Sequence, residues 1–165
     1  MNAPIRPPSP ENASPERIFR AILATDFRAF VDYVFCLLRP GIPLKPNWHI
    51  DAITHQISRV ASGDLKRLII TVPPRHLKSI IASVALPAWY LGHNPSQRVV
   101  CVSYSADLAR THANDFRRVV TDPIYQAVFP KMRLASPRDR QRNPYHPTWT
   151  PLCHVDRWDL DRPRR

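Results

Sequence analysis

The sequence predicts an α/β fold: an incomplete parallel sheet built around a phosphate loop, with flanking helices and a helical segment before it. Three observations carry this. Leu68–Val72 is a short apolar, largely β-branched run suited to a buried strand, and Pro73-Pro74 stops it because neither proline can donate to a ladder. Lys78-Ser79 then opens a helical pattern. A second apolar run, Arg98–Tyr104 (RVVCVSY), follows that helix and has the continuous character of a parallel strand covered on both faces. Strand, helix and strand in this order make a right-handed βαβ unit.

The elements follow in chain order. Residues 1–13 hold four prolines and little apolar surface, and read as a flexible arm. Ser14-Pro15-Glu16 is a helix start, with Ser as N-cap and Pro at the first helical position. Phe19, Ile22, Leu23, Phe27, Phe30, Val31, Val34, Phe35 and Leu38 recur at spacings of three and four. They lay one core-facing stripe along one or two helices, which Pro40-Gly41 and Pro43 end. Trp48–Ala61 is the next helix, with Ile50, Ile53, Ile57 and Val60 on one face and Gly63 as terminator. Ile80–Leu91 reads as a buried helix closed by Gly92. Ser105 caps a helix over Ala106–Val120 whose Leu108, His112, Phe116, Val119 and Val120 face the sheet, and Asp122-Pro123 ends it before a short turn at Ile124–Phe129.

The chemistry concentrates at Arg67–Ser79, RLIITVPPRHLKS. Polyphosphate binding calls for backbone N–H groups at a helix start, a Lys ammonium on the outer phosphates and a hydroxyl in the magnesium shell. Lys78 and Ser79 supply the last two in the right order. The common pattern places glycines at the positions of Val72 and Leu77, and neither is glycine here, so as a bare motif a chance basic turn reads equally well. Pro74, Arg75, His76 and Leu77 complete the loop. Arg75 is a candidate catalytic residue that stabilises charge on a transferring phosphoryl group, against the alternatives of a salt bridge or plain phosphate docking. Ser103, Tyr104 and Ser105 stand where open α/β sheets bind ligands, although capping and turn formation account for them too.

Composition narrows the classes. A chain of 165 residues has room for one domain with a real core. A formal charge of +11 favours a polyanionic partner, because cations that neutralise phosphates gain affinity by counterion release. Three cysteines (Cys36, Cys101 and Cys153) make no disulfide framework and fit a reducing compartment. No apolar run is long enough to span a membrane, and the N-terminus lacks the apolar core of a secretion signal, so a cytoplasmic location is expected.

PPRHLKS followed by IIASVALPAWYLGHNPSQRVVCVSYSADLA resembles the ATPase domain of phage and prophage terminase large subunits, the DNA-packaging motors. The resemblance covers roughly Phe27–Ala135, so residues 14–135 read as a partial ATPase domain. It implies a P-loop NTPase-type sheet and a phosphate loop that tolerates Pro-Pro-Arg and a non-glycine before the Lys. It also implies ATP and Mg2+ as cofactors, with Ser79 reaching the magnesium. Double-stranded DNA, a small terminase subunit and a portal protein are the implied partners in a bacterial host cell. Trp48 and His49 fall where related motors place groups around the adenine; packing is the simpler role for Trp48. Gln56 is a further adenine candidate or a solvated helical residue.

From about Ser136 the character changes. SPRDRQRNPYHPTWTPLCHVDRWDLDRPRR has seven arginines, no lysine, five prolines, no glycine and no apolar period, and reads as an irregular basic tail. His146, Cys153 and His154 match no zinc spacing. The family resemblance implies a Gly- and Thr-rich segment and then an acidic strand here, and neither appears. A one-base shift offers an account: Trp158 followed by Asp159 forces a glycine codon in the next frame, and Leu152–Arg164 can be back-translated to YATSIGGTLTGRG. The tail is thus expected to be out of frame, after a shift between Leu134 and Arg140. The fragment then keeps the phosphate loop but lacks the acidic strand and the nuclease of an intact motor.

Overall fold

The computed structural model describes residues 14–132. The arm at 1–13 and the basic tail from 136, with its out-of-frame reading, lie outside the described residues. Seven α-helices and one π-helical stretch occupy the rest. They are α1 (Pro15–Thr25), α2 (Phe27–Leu38), α3 (Trp48–Ser62), α4 (Lys78–Ile80), the π stretch Ile81–Ala85, α5 (Leu86–His93), α6 (Ala106–Thr121) and α7 (Pro123–Val128).

The expected α/β fold is corrected: among the described residues there is no sheet, and Val100 is recorded only as an isolated bridge residue. Neither apolar run takes part in a ladder among the described residues. In the first, Leu68, Ile70 and Val72 pack against the helical core while Ile69 between them is 91 % exposed. In the second, Val99 packs inward, and Val100, Val102 and Tyr104 point out, Tyr104 at 89 %. Each run has the two-residue period of a strand with one covered face. A βαβ sheet needs a neighbour for each strand's backbone as well as a covered face, and no neighbour is present among these residues.

Helix boundaries follow local chemistry closely. Ser14 caps α1, its hydroxyl accepting from the Arg17 N–H at 3.4 Å, with Pro15 in the first turn. Asp26 splits the long apolar stripe in two, because its carboxylate accepts from the N–H groups of Arg28 and Ala29 and starts α2. Leu23, Phe27, Phe30, Val31, Val34, Phe35 and Leu38 are buried as expected; Phe19 and Ile22, on the same stripe, are substantially exposed. Gly63 ends α3 at φ 87°, a left-handed cap that glycine adopts without strain. Asp122 starts α7 in the way Asp26 starts α2, accepting from the Ile124 and Tyr125 N–H groups.

The segment Lys78–His93 is the centre of the molecule. Its three pieces run on without a break, since Ile80, Ile81, Ala85 and Leu86 all have right-handed helical dihedrals. The π stretch precedes Pro87, which has no N–H to give the Ser83 carbonyl four residues back. The Leu86 N–H reaches Ile81 instead, and the Cys101 thiol lies 4.0 Å from the Ser83 oxygen. Ile81, Val84, Ala85 and Ala88 are fully enclosed. Tyr125 donates its buried hydroxyl to the Ala88 carbonyl at 2.8 Å, and Trp89 donates its indole N–H to Leu23 at 3.3 Å. Phe30 meets the rings of Tyr33, Tyr125 and Phe129. Tyr33 donates to Asp122 at 2.6 Å, and burial first, then that bond, holds its phenol protonated well above the usual tyrosine range. Arg28 bridges α2 to α3 through Asp51, and pairs with Asp32 on its own helix.

Gly92 does not close the central helix, which runs on to an Asn94 cap; it makes room for Phe129. A Cβ there would lie 2.6 Å from the Phe129 ring. No described helix is long and apolar enough to cross a membrane. The Phe129 contact yields a test: Gly92→Ala gains about 1 kcal/mol of helix propensity but overpacks the core by about 1–3 kcal/mol. Urea unfolding followed by circular dichroism is expected to show net destabilisation, with Phe129→Leu in the same chain recovering part of it.

Candidate functional site

The turn between Val72 and the central helix has an unusual backbone. Arg75 takes φ 68° and Leu77 φ 59° with ψ 0°, while His76 and Lys78 between and after them keep negative φ. Left-handed geometry costs a non-glycine residue roughly 1–2 kcal/mol, so two such residues in one short turn are held there by their surroundings. His76 is one of the restraints: its Nδ1 lies 2.9 Å from the Pro74 carbonyl and 3.2 Å from that of Pro73. Both are acceptors, which assigns the ring proton to Nδ1 and leaves Nε2 as an acceptor. The Ile81 N–H bonds the Leu77 carbonyl at 2.9 Å and closes the first helical turn behind the loop.

Successive residues of opposite φ turn their N–H groups toward a shared concavity, which favours an anion. Lys78 and Ser79 begin the helix and are both exposed. A cavity of about 650 Å³ opens here, lined by the whole of Pro73–Ile80 and, across from it, by Phe35, Arg39 and Ile42 from the end of α2 and the turn after it. The expected loop residues Pro74, Arg75, His76, Leu77, Lys78 and Ser79 therefore share one cavity. Among the described residues no carboxylate lines it, and none pairs with Arg39, Arg75 or Lys78.

Trp48 and His49 do not line this cavity. Trp48 is 78 % exposed at the start of α3, its ring 6.4 Å from that of His49. The His49 ring packs edge-on against His76 at 5.1 Å, and its Nε2 is buried with no hydrogen-bond partner among the described residues. His49 thus touches the back of the loop. Gln56 accepts from Arg59 on its own helix and lies at neither cavity.

A second cavity of about 270 Å³ shares Lys78 and Ser79 with the first, and is closed by Ser83, Cys101–Tyr104, Leu108 and His112. Ser103 and Tyr104 thus line a cavity with Ser79, but not from the end of a sheet strand, since the described residues form no sheet. Ser105 is the N-cap residue of α6 but makes no side-chain cap bond. His112 was expected to face a sheet; it is half-buried at this cavity. Burial pushes its proton affinity down, and Asp115 opposes that only in part.

Sequence reasoning missed Phe35, Arg39 and Ile42. Phe35 reads as core, and Arg39 and Ile42 carry no motif that marks them. Among the described residues no three His, Cys, Asp or Glu side chains group closely enough to hold a metal ion. No family model, curated protein or solved structure matches the chain.

Two outcomes test this geometry. At a left-handed residue the usual helical order of Ala over Gly reverses, so Leu77→Gly is expected to be more stable than Leu77→Ala by about 1 kcal/mol in urea; the opposite order would show that residue 77 is not held at positive φ. For His112, whose folded proton affinity is depressed, the unfolded chain takes up the proton more readily. Stability is therefore expected to fall as pH drops below about 6.5, and His112→Gln to flatten that part of the profile.

Proposed function

We propose that this chain is the nucleotide-binding part of a DNA-packaging motor of the terminase large-subunit type, and that its loop seats ATP with magnesium. The observation that carries this is the alternating sign of φ from Arg75 to Lys78, directly ahead of an exposed Lys-Ser pair at a cavity. Backbone N–H groups in that arrangement hold inner phosphate oxygens, and Leu77 takes the left-handed geometry that the common pattern assigns to glycine. The Lys78 ammonium balances phosphate charge. In this reading the Ser79 hydroxyl joins the magnesium shell, and Arg75, which has no ion-pair partner among the described residues, docks an outer phosphate. When bound, ATP with magnesium supplies the phosphoryl group whose transfer drives such motors.

A sheet is no part of this reading. What it uses is the loop and the buried helix behind it, which fixes Lys78 and Ser79 in place. His49, whose ring meets His76, braces the loop in preference to holding the base, and Trp48 stands exposed beside His49. In the intact motor the partners are double-stranded DNA, a small terminase subunit and a portal protein, in the cytoplasm of a bacterial host.

Turnover needs a carboxylate to orient the metal and polarise water. The described residues bring none to the cavity, so this chain by itself is proposed to bind nucleotide without rapid hydrolysis. That feature, with the +11 charge, also favours a second reading: a basic nucleic-acid-binding fragment with no catalysis. Calorimetric titration with ATP and magnesium separates the two. On the first reading wild-type chain binds ATP and Lys78→Ala weakens it by about tenfold or more. On the second, ATP binding is indifferent to Lys78→Ala, and DNA affinity falls steeply with salt in both proteins.

A further inference from the structure

The cavity has a cation that the loop does not supply. Arg39 follows the last residue of α2, and its guanidinium donates to the Leu38 carbonyl at 3.1 Å. Among the described residues that bond leaves most of its N–H groups open. Arg39 lines the cavity together with Phe35 and Ile42, on the wall facing Arg75 and Lys78. Three cations around one cavity repel one another, and no described carboxylate relieves them. Phe35 is buried in this wall, while Ile42, Pro73 and the three cations are exposed to water that screens part of the repulsion. Such an arrangement is stabilised by a ligand that carries several negative charges and spans the gap.

We propose that Arg39 is the contact for the terminal phosphate of a nucleoside triphosphate, so that the cavity selects triphosphate over diphosphate. This rests on the loop seating phosphate as described above. A ligand held by the loop N–H groups, Lys78 and Ser79 extends its free end across the cavity, where a planar guanidinium offers two parallel donors to phosphate oxygens. A diphosphate held by the same loop stops short of that wall. The cavity volume of about 650 Å³ suits a ligand of nucleotide size.

The competing role for Arg39 is structural, as a cation at the carbonyl end of α2. The test uses the full 165-residue chain. The imido analogue of ATP and ADP, each with magnesium, are titrated calorimetrically into wild type, Arg39→Gln, Arg39→Lys and Lys78→Ala, with thermal melts confirming that each variant is folded. Arg39→Gln is expected to weaken the triphosphate about tenfold or more, leave ADP within about twofold, and erase the preference; Arg39→Lys recovers part of it. Lys78→Ala weakens both ligands. If Arg39→Gln changes both ligands equally, or neither, while wild type still binds, the Arg39 assignment is overturned and the loop reading stands. If wild type binds neither ligand, both fall together. Should Arg39→Gln melt before it can be titrated, Arg39→Lys decides: an unchanged triphosphate preference with the shorter donor set overturns the bidentate contact, and a reduced one supports it.

Discussion

Everything near the loop depends on the burial of the helix Lys78–His93. Its inner residues are buried, and three side-chain contacts fasten it: Tyr125 of α7 donates to the Ala88 carbonyl, the helix's own Trp89 donates to the Leu23 carbonyl of α1, and the Phe129 ring after α7 lies against Gly92. A helix fixed along its length presents its first residues in one place. Lys78 and Ser79 are therefore exposed but not free to wander, which is the condition for a site that binds without first ordering itself. The π stretch serves the same end, because it absorbs Pro87 without kinking the part of the helix that carries the loop.

The loop's strain has its source in this fixed helix. Two left-handed residues cannot be held by a free turn; they persist because Ile81 closes the helix onto Leu77 while His76 ties the turn back to the carbonyls of Pro73 and Pro74. The edge contact of His49 on His76 adds α3 to this support. The prolines contribute too, since their fixed φ lowers the freedom the turn has to lose. Glycines at these positions would remove the strain and also the restraint. A chain that uses Arg and Leu instead fixes by packing what glycine would leave to the ligand.

How much of this could be read from residues divides by range. Local chemistry was legible: Ser14, Asp122 and Gly63 act where their side chains or their lack of one dictate, and the stripe from Leu23 to Leu38 finds the core. The cut at Asp26 was missed, because a lone Asp inside a helical period reads as solvated until its cap bonds are seen. Gly92 was misread as a terminator, since a glycine that makes room for a ring and one that ends a helix look alike in sequence. The loop residues were found together because they are contiguous. Arg39 was not found, because nothing in a sequence states which face of α2 looks onto a turn dozens of residues later.

The sheet failed for a related reason, and its failure explains the most conspicuous surface feature. Apolar β-branched residues state a preference for extended backbone and for one covered face, and both runs have these. A ladder is a pairwise property in which every N–H and C=O needs a counterpart on a neighbour at the right register. Here the helical layer covers the inner residues Leu68, Ile70, Val72 and Val99, without a strand ladder among the described residues. Ile69, Val102 and Tyr104 are left on the outside as the other half of the same alternation. Their exposure therefore follows from strand-like sequence seated on helices, and the core beneath is helical, with the rings of Tyr33, Tyr125 and Phe129 gathered around Phe30.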